Sequence, residues 1–129
     1  MEALNLSAVE IKAFVPARDF ELSKQFYQAV GFTLAFAAED IAYFRHGDCS
    51  FLLQNFFAVE HADNFMMHLL VENVEDWYRH AENQRIRERF AVKIEPPADR
   101  PWAMRDFLLV DPGGVLWRIA QNTPKQESE

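Results

Sequence analysis

The sequence predicts an α+β fold in which one βαβββ module occurs twice and forms curved mixed sheets around a cleft. Both halves of the chain show the same order of patterns: a strand, a helix and three further strands. A local echo, Asp-Phe-Glu at 19–21 and Asn-Val-Glu at 73–75, sets the repeat at 73 − 19 = 54 residues. Because one helix covers only one face of a four-stranded sheet, the other face must meet its counterpart or a second chain. The resulting cleft is a natural small-molecule site.

The first half of the chain shows these patterns at their first occurrence. Residues 9–15 alternate apolar and polar side chains, which predicts a strand that ends at Pro16. Asp19 is placed to cap a helix, and Gly31 fits the position after the end of that helix. Three shorter strands are predicted after the helix, at residues 32–37, 41–45 and 50–55.

The second half repeats the order. A strand is predicted at residues 65–71, and Asn73 can cap a helix that buries Val74, Trp77 and Ala81. The run PPADRPW, residues 96–102, is expected to be a loop, and the Asp-Pro-Gly-Gly run at 111–114 a tight turn. The three later strands are predicted near residues 92–95, 107–110 and 115–120.

Length and composition bound the class of protein. The 129 residues suit a single domain, 1–129, built of modules at 8–57 and 65–121. The net charge of −7, from 20 acidic and 13 basic residues, comes without a basic stripe and argues against nucleic acid as a partner. Cys49 is the only cysteine, so no internal disulfide is expected. Without a signal-like start or a long apolar run, we expect a cytoplasmic protein that does not enter a membrane.

Three motifs carry a resemblance to a known family. They are RDFELSKQFYQAVGF at 18–32, PWAMRDF at 101–107 and DFLLVDPGGVLWRI at 106–119. In this order and spacing the chain resembles the vicinal-oxygen-chelate superfamily over residues 8–121. That superfamily includes glyoxalase I, extradiol dioxygenases, fosfomycin-resistance enzymes and bleomycin-resistance proteins. The pattern is most similar to the bleomycin-resistance-like members, which sequester a ligand without chemistry.

The resemblance implies where a metal would be held. Enzymes of the superfamily bind a divalent ion through His and Glu side chains on four strands. Three of those positions fall on Lys12, Met66 and Arg118, and the fourth lies on the strand 50–55, where Phe51, Leu52 and Leu53 are not ligands. Two permanent cations would repel a divalent ion. We therefore expect no metal and no other cofactor.

The resemblance and strand alternation together predict the ligand-binding residues, which are Lys12, Phe14, His68, Trp102 and Arg118. Phe14 shares a strand face with Lys12, and His68 shares one with Met66, which places both in the cleft wall. His68 as a displaced metal ligand is the alternative. Trp102 lies in a Pro-flanked segment that borders the cleft in bleomycin-resistance-like proteins, although ordinary loop packing also accounts for it.

Lys12 and Arg118 are expected to share the cleft. Two close cations need acids or a bound anion, so we expect a carboxylate or a ligand anion to bridge them, with Glu10 as one candidate. An internal salt-bridge network is the alternative reading of both cations. Arg118 should point into the cleft while Trp117 and Ile119 point toward the helix.

Three functions remain open at this point. The first is a metal-independent protein that binds a small molecule, with no catalytic residue. The second is a metal-dependent lyase, isomerase or oxidoreductase that takes ligands from other positions, such as His68 with Glu10. The third is a dimeric scaffold without a specific ligand. A homodimer is expected because each sheet exposes a face. The acidic chain favours a cationic ligand, whereas Lys12 and Arg118 favour an anionic one.

Overall fold

A computed structural model of the chain describes residues 3–124. The first half contains β1 Phe14–Pro16, α1 Phe20–Val30, β2 Thr33–Ala37, β3 Ile41–His46 and β4 Cys49–Gln54. The second half contains α2 Val59–Asp63, β5 Met66–Leu70, α3 Val74–Asn83, α4 Ile86–Phe90, β6 Ile94–Arg100, β7 Met104–Val110 and β8 Leu116–Asn122. The short helices α2 and α4 were not predicted from the sequence.

The eight strands form two four-stranded sheets with the same topology. Their orders are β1-β4-β3-β2 in the first sheet and β5-β8-β7-β6 in the second. In each sheet the first strand pairs in parallel with the last strand of its module, and the other pairs are antiparallel. A parallel pair needs a crossover, which α1 and α3 supply. The predicted tandem βαβββ architecture is confirmed.

The two long helices begin where their capping residues predict. The Asp19 carboxylate accepts a hydrogen bond from the backbone N–H of Leu22 at 3.1 Å. The Asn73 side chain does the same for Asp76 at 3.1 Å. Each bond satisfies an N–H that the first helical turn leaves unpaired, which fixes the start of the helix. Gly31 follows α1 with φ of 133°, a conformation that side chains disfavour.

One apolar core joins the two sheets. Tyr27 of α1 is fully buried, and its ring packs on Phe51 of β4 at 4.8 Å and on Trp117 of β8 at 5.5 Å between ring centres. On the second sheet, Tyr78 of α3 packs on Phe107 of β7 at 5.3 Å. The helix side of each sheet therefore faces this core. We call the opposite side of each sheet its open face.

The predicted first strand is wrong over most of its length. The structure has a strand only at Phe14–Pro16, and residues 3–13 form an extended arm without a strand assignment. The arm's Val9 and Ile11 are 99% and 94% exposed. These apolar side chains therefore pack on almost nothing within residues 3–124, although they alternate as in a half-buried strand. Pairing continues one step beyond β1, where the Ala13 carbonyl accepts from the N–H of Leu52 at 3.0 Å.

The predicted loop at 96–102 is also wrong. The two prolines at 96 and 97 lie inside β6, and the loop shrinks to residues 101–103 before β7 begins at Met104. β6 is an edge strand, where the missing proline N–H groups cost least, and its pairing register shifts between Glu95 and Ala98. Within residues 3–124 none of the helices has the length and apolar character that crossing a membrane requires.

Candidate functional site

The open face of the second sheet carries Arg118 in its middle. Its neighbours along β8, Trp117 and Ile119, are 3% and 1% exposed and lie in the core, so the side chain of Arg118 is on the opposite side. In register, Arg118 pairs with His68 on β5 and with Leu108 on β7. The three side chains therefore form a row across the open face of this sheet.

Arg118 is held by a buried carboxylate. Its guanidinium donates to Asp106 Oδ2 at 3.0 Å, and Arg100 Nε donates to Asp106 Oδ1 at 2.7 Å. The Asp106 side chain is 1% exposed, whereas each arginine side chain is 25% exposed. One buried acid on β7 thus fixes two arginines, which lie on the strands β6 and β8 on either side of it. We call Arg100 and Arg118 the arginine pair.

Trp102 lies beside the arginine pair. It occupies the loop between β6 and β7, is 55% exposed, and its ring centre is 5.9 Å from Arg118 Cζ. The next residue, Ala103, has φ of 61°, a left-handed conformation that costs free energy in any residue other than glycine. The Ala103 carbonyl accepts from the N–H of Thr123 at 3.0 Å, which anchors the loop to the end of β8. The tryptophan is therefore exposed on a constrained loop.

The open face of the first sheet has its own charged cluster around Glu10. Lys12 Nζ lies 3.1 Å from Glu10 Oε1, and the Tyr43 hydroxyl donates to Glu10 Oε2 at 2.7 Å. The Ser50 hydroxyl donates to the same oxygen. The hydrogen bond from Ser50, followed by those from Tyr43 and Lys12, lowers the pKa of Glu10 from 4.5 to about 2. This cluster attaches the exposed arm to the first sheet.

Phe14 lies on the same face as this cluster. It pairs with Leu52, and Leu52 pairs with Tyr43, so the three side chains form a row on the open side. Phe14 is 51% exposed, and Lys12 Nζ lies 5.3 Å from the centre of the Tyr43 ring. Lys12 and Phe14 therefore lie on the same open face, and their role in ligand binding stays a prediction.

Within residues 3–124, Lys12 and Arg118 pair with different carboxylates, so the expected bridge by a shared carboxylate is not seen there, and a bridge by a ligand anion stays a prediction. Lys12 pairs with Glu10, two residues away, whereas Arg118 pairs with Asp106 on β7. Both cations thus take part in ion pairs, as the alternative reading held. Sequence reasoning missed Asp106 and Arg100. The available signal was an acid at the start of an otherwise apolar strand, adjacent to the strand of Arg118.

A groove of about 340 Å³ brings elements of both modules together. Residues 9–11 of the arm and 48–51 around the start of β4 line one part of it, and residues 67–70 of β5 line the other. Glu10 and His68 both border this groove. Among residues 3–124, the Glu10 cluster of the first sheet therefore approaches the row of His68, Arg118 and Leu108 on the second sheet at this groove.

The residues present do not fit a divalent metal. Lys12, Met66 and Arg118 stand at the positions that the resemblance assigns to ligands, and a lysine and an arginine bring positive charge without a free lone pair. Glu10 already accepts hydrogen bonds from three side chains. Among residues 3–124, no group of three or more His, Cys, Asp or Glu side chains is arranged to hold a metal ion.

Comparison with known proteins gives the class. A profile of the Glyoxalase/Bleomycin resistance protein/Dioxygenase superfamily matches residues 9–119, and the chain belongs to this superfamily. Among curated proteins it is similar to a bleomycin resistance protein of Klebsiella pneumoniae. The two are 30% identical over 114 residues, which cover 84% of this chain and 88% of that protein.

Solved structures agree with this assignment. A bleomycin-binding protein complexed with bleomycin superposes with a TM-score of 0.76 at 26% identity and covers 88% of this chain and 98% of its own. A bleomycin resistance determinant encoded on the transposon Tn5 superposes with a TM-score of 0.72 at 23% identity, covering 88% and 97%. The second likeness shows the fold alone. The predicted family and fold are thus confirmed.

Proposed function

We propose that this protein is a metal-independent binding protein of the antibiotic-resistance type, which sequesters a small molecule without catalysing a reaction. The observation that carries the proposal is the pairing of Arg118 with the buried Asp106. It fixes a permanent cation where the resemblance would need a carboxylate ligand, next to the exposed ring of Trp102. The similarity to bleomycin resistance proteins supports bleomycin as the first ligand to test.

We assign ligand binding to the residues on the open faces, which are Lys12, Phe14, His68, Trp102 and Arg118. Phe14 and Trp102 supply exposed aromatic surface, which packs well against flat ligands. Lys12 and Arg118 supply positioned charge, and His68 borders the groove. No residue is assigned a catalytic role.

We further propose a cytoplasmic homodimer. The arm exposes Val9 and Ile11 almost completely, and the open face of the second sheet exposes Met66 and Leu70 by half or more. A second copy that covered these side chains would remove a large apolar area from water. Sedimentation velocity should show a dimer at micromolar concentration. The double variant Val9→Asp, Ile11→Asp should shift it toward monomer, and a monomeric parent protein would contradict the proposal.

Calorimetric titration with bleomycin tests the function. We expect saturable binding by protein treated with a chelator, and the same affinity after zinc is added. Trp102→Ala should weaken binding about fivefold, because an aromatic contact is worth on the order of 1 kcal/mol. The matched variant Trp102→Phe should keep most of the affinity. Cells that express the protein should tolerate more bleomycin than cells that express Trp102→Ala.

Two outcomes would contradict this proposal. The first is the absence of saturable bleomycin binding to folded protein. The second is stoichiometric zinc, nickel, manganese or iron that is lost in His68→Ala, which would instead support the metal-dependent enzyme of the same superfamily. Elemental analysis of protein purified without chelator distinguishes these cases.

A further inference from the structure

The arginine pair has one more positive charge than its carboxylate can neutralise. In the described part of the chain, the recorded hydrogen bonds of both guanidiniums go to Asp106, one from each arginine. A guanidinium has five N–H donors, so most donors of the pair remain available. Because a quarter of each arginine side chain is exposed while Asp106 is buried, those donors are accessible to a ligand.

Among residues 3–124, no second acid forms an ion pair with Arg100 or Arg118. Glu95 of β6 lies on the same open face, opposite Leu108, and it pairs with Lys93 at 3.4 Å. Asp99 pairs with Arg105 at 3.2 Å instead. The local balance of Arg100, Arg118 and Asp106 is therefore one net positive charge, on a chain whose net charge is −7.

Local charge outweighs the acidity of the whole chain for a bound group. At physiological ionic strength the screening length is about 8 Å, so distant carboxylates are largely screened. A ligand anion in contact with a guanidinium makes a charge-assisted hydrogen bond that is shorter and stronger than a neutral one. The planar guanidinium also matches the two oxygens of a carboxylate.

We propose that the arginine pair and Trp102 form a subsite for the carboxylate of a flat aromatic acid. The ring of the ligand lies against the exposed face of Trp102, and its carboxylate takes the remaining N–H donors of Arg118 and Arg100. The proposal rests on the proposed binding function, since it names a ligand class for the same open face. The acidic chain favours a cationic ligand and its arginines favour an anionic one; the proposal assigns an anionic ligand to this site.

Three probes that share the indole ring system and differ in charge test the subsite. Indole-3-acetate is an anion, indole-3-acetamide is neutral and tryptamine is a cation. Calorimetric titration at physiological ionic strength should show that indole-3-acetate binds about tenfold more tightly than either of the others, which is the affinity gain of one good charge-assisted pair. Added salt should reduce this preference. Equal affinities, or no detectable binding of indole-3-acetate, would overturn the proposal.

Arginine variants locate the preference. Arg118→Gln should remove most of the gain for indole-3-acetate and bring its affinity close to that of indole-3-acetamide. Asp106 keeps Arg100 in this variant, so no buried carboxylate is left unpaired. Arg105→Gln is the matched control, because Arg105 pairs with Glu75 and Asp99 rather than with Asp106. If Arg118→Gln unfolds, Arg100→Gln gives the same test from the edge strand.

Bleomycin titration of the same samples separates the two proposals. Bleomycin binding without a preference for the acid would overturn the subsite and leave the binding function standing. A preference for the acid that depends on Arg118 would support the subsite even if bleomycin failed to bind. A preference that survives in both arginine variants would overturn the subsite, because the anion would then bind elsewhere.

Discussion

The open faces of the two sheets carry similar charged clusters in different surroundings. On the first sheet Glu10 pairs with Lys12 on an exposed arm, two residues apart. On the second sheet Asp106 is 1% exposed and holds two arginines from neighbouring strands. The sheets share one strand order, so topology does not explain the difference. Burial of the acid does: the Glu10 side chain keeps 20% exposure and is screened by water, so its ion pair adds little to stability, whereas Asp106 at 1% exposure must be paired to be tolerated.

Removing the buried acid should have the largest effect on stability. Asp106→Asn keeps the shape of the side chain and leaves the two guanidiniums close together without a counter-charge. We expect a loss of about 3 kcal/mol in the free energy of unfolding, since breaking a buried pair by deleting one partner costs on the order of 3–5 kcal/mol and this one is partly exposed. Urea denaturation followed by circular dichroism measures it.

Glu10, the more exposed of the two acids, provides the matched control for Asp106→Asn. Glu10→Gln removes the corresponding charge of the first cluster and should lower the urea midpoint much less than Asp106→Asn does. Equal losses in Glu10→Gln and Asp106→Asn would show that burial does not distinguish the two clusters.

A single hydroxyl links the two modules, and its loss should rank second. Tyr27 of α1 donates to the buried Asp111, and it accepts from Trp117 Nε1 at 2.9 Å. Tyr27→Phe leaves both partners without this bond, so we expect a loss of about 2 kcal/mol, the usual cost of a hydrogen bond to a charged group. Tyr78→Phe is the control, because the recorded contact of Tyr78 is ring packing on Phe107. A similar loss in both variants would contradict the role of the hydroxyl.

Local patterns of the sequence were enough to predict most of the fold. Asp19 and Asn73 mark the starts of both long helices because N-cap bonds form within one turn. Alternation placed Trp117 and Ile119 in the core because that face packs on the helices of the same chain. The same alternation failed in the arm, where Val9 and Ile11 meet no surface in one chain. A periodic pattern predicts a strand, but the strand also needs a partner.

The charged site could not be predicted in full for a related reason. The resemblance placed Arg118, but its acid lies on β7, and only the pairing of β7 with β8 brings Asp106 near it. Arg100 reaches the same acid because β6 continues through two prolines, which read as a loop in the sequence. Pairing between distant residues depends on register, and register depends on packing of the whole sheet.

Asp111, the buried acid that accepts a hydrogen bond from Tyr27, should make the free energy of unfolding depend on pH. Burial raises the pKa of Asp111 above its ordinary 3.8, although hydrogen bonds from Tyr27 and from the backbone of Val115 and Gly113 oppose the shift. The stability that this group contributes is therefore fully present below pH 3.8 and is lost as pH rises through the higher pKa of the folded state. The unfolding free energy of the protein relative to that of Asp111→Asn should therefore fall as pH is raised above about 4. A difference that does not change with pH would contradict the raised pKa.

The smallest expected effect concerns the exposed cluster and its titration rather than its stability. The pKa of Glu10 is about 2, and the hydrogen bond from Ser50 is the largest cause. Ser50→Ala should raise this pKa toward 4.5, measured by NMR titration of the Glu10 carboxyl. Ser7→Ala is the matched control, since the recorded bond of Ser7 is made by its backbone N–H to Asn5. The lowered pKa means that the attachment of the arm is fully present above pH 4.5 and is lost as pH falls toward 2. A Glu10 pKa near 4.5 in the unsubstituted protein would show that this cluster does not hold the arm on the first sheet. The comparison of the Glu10 cluster with the Asp106 cluster would then no longer hold.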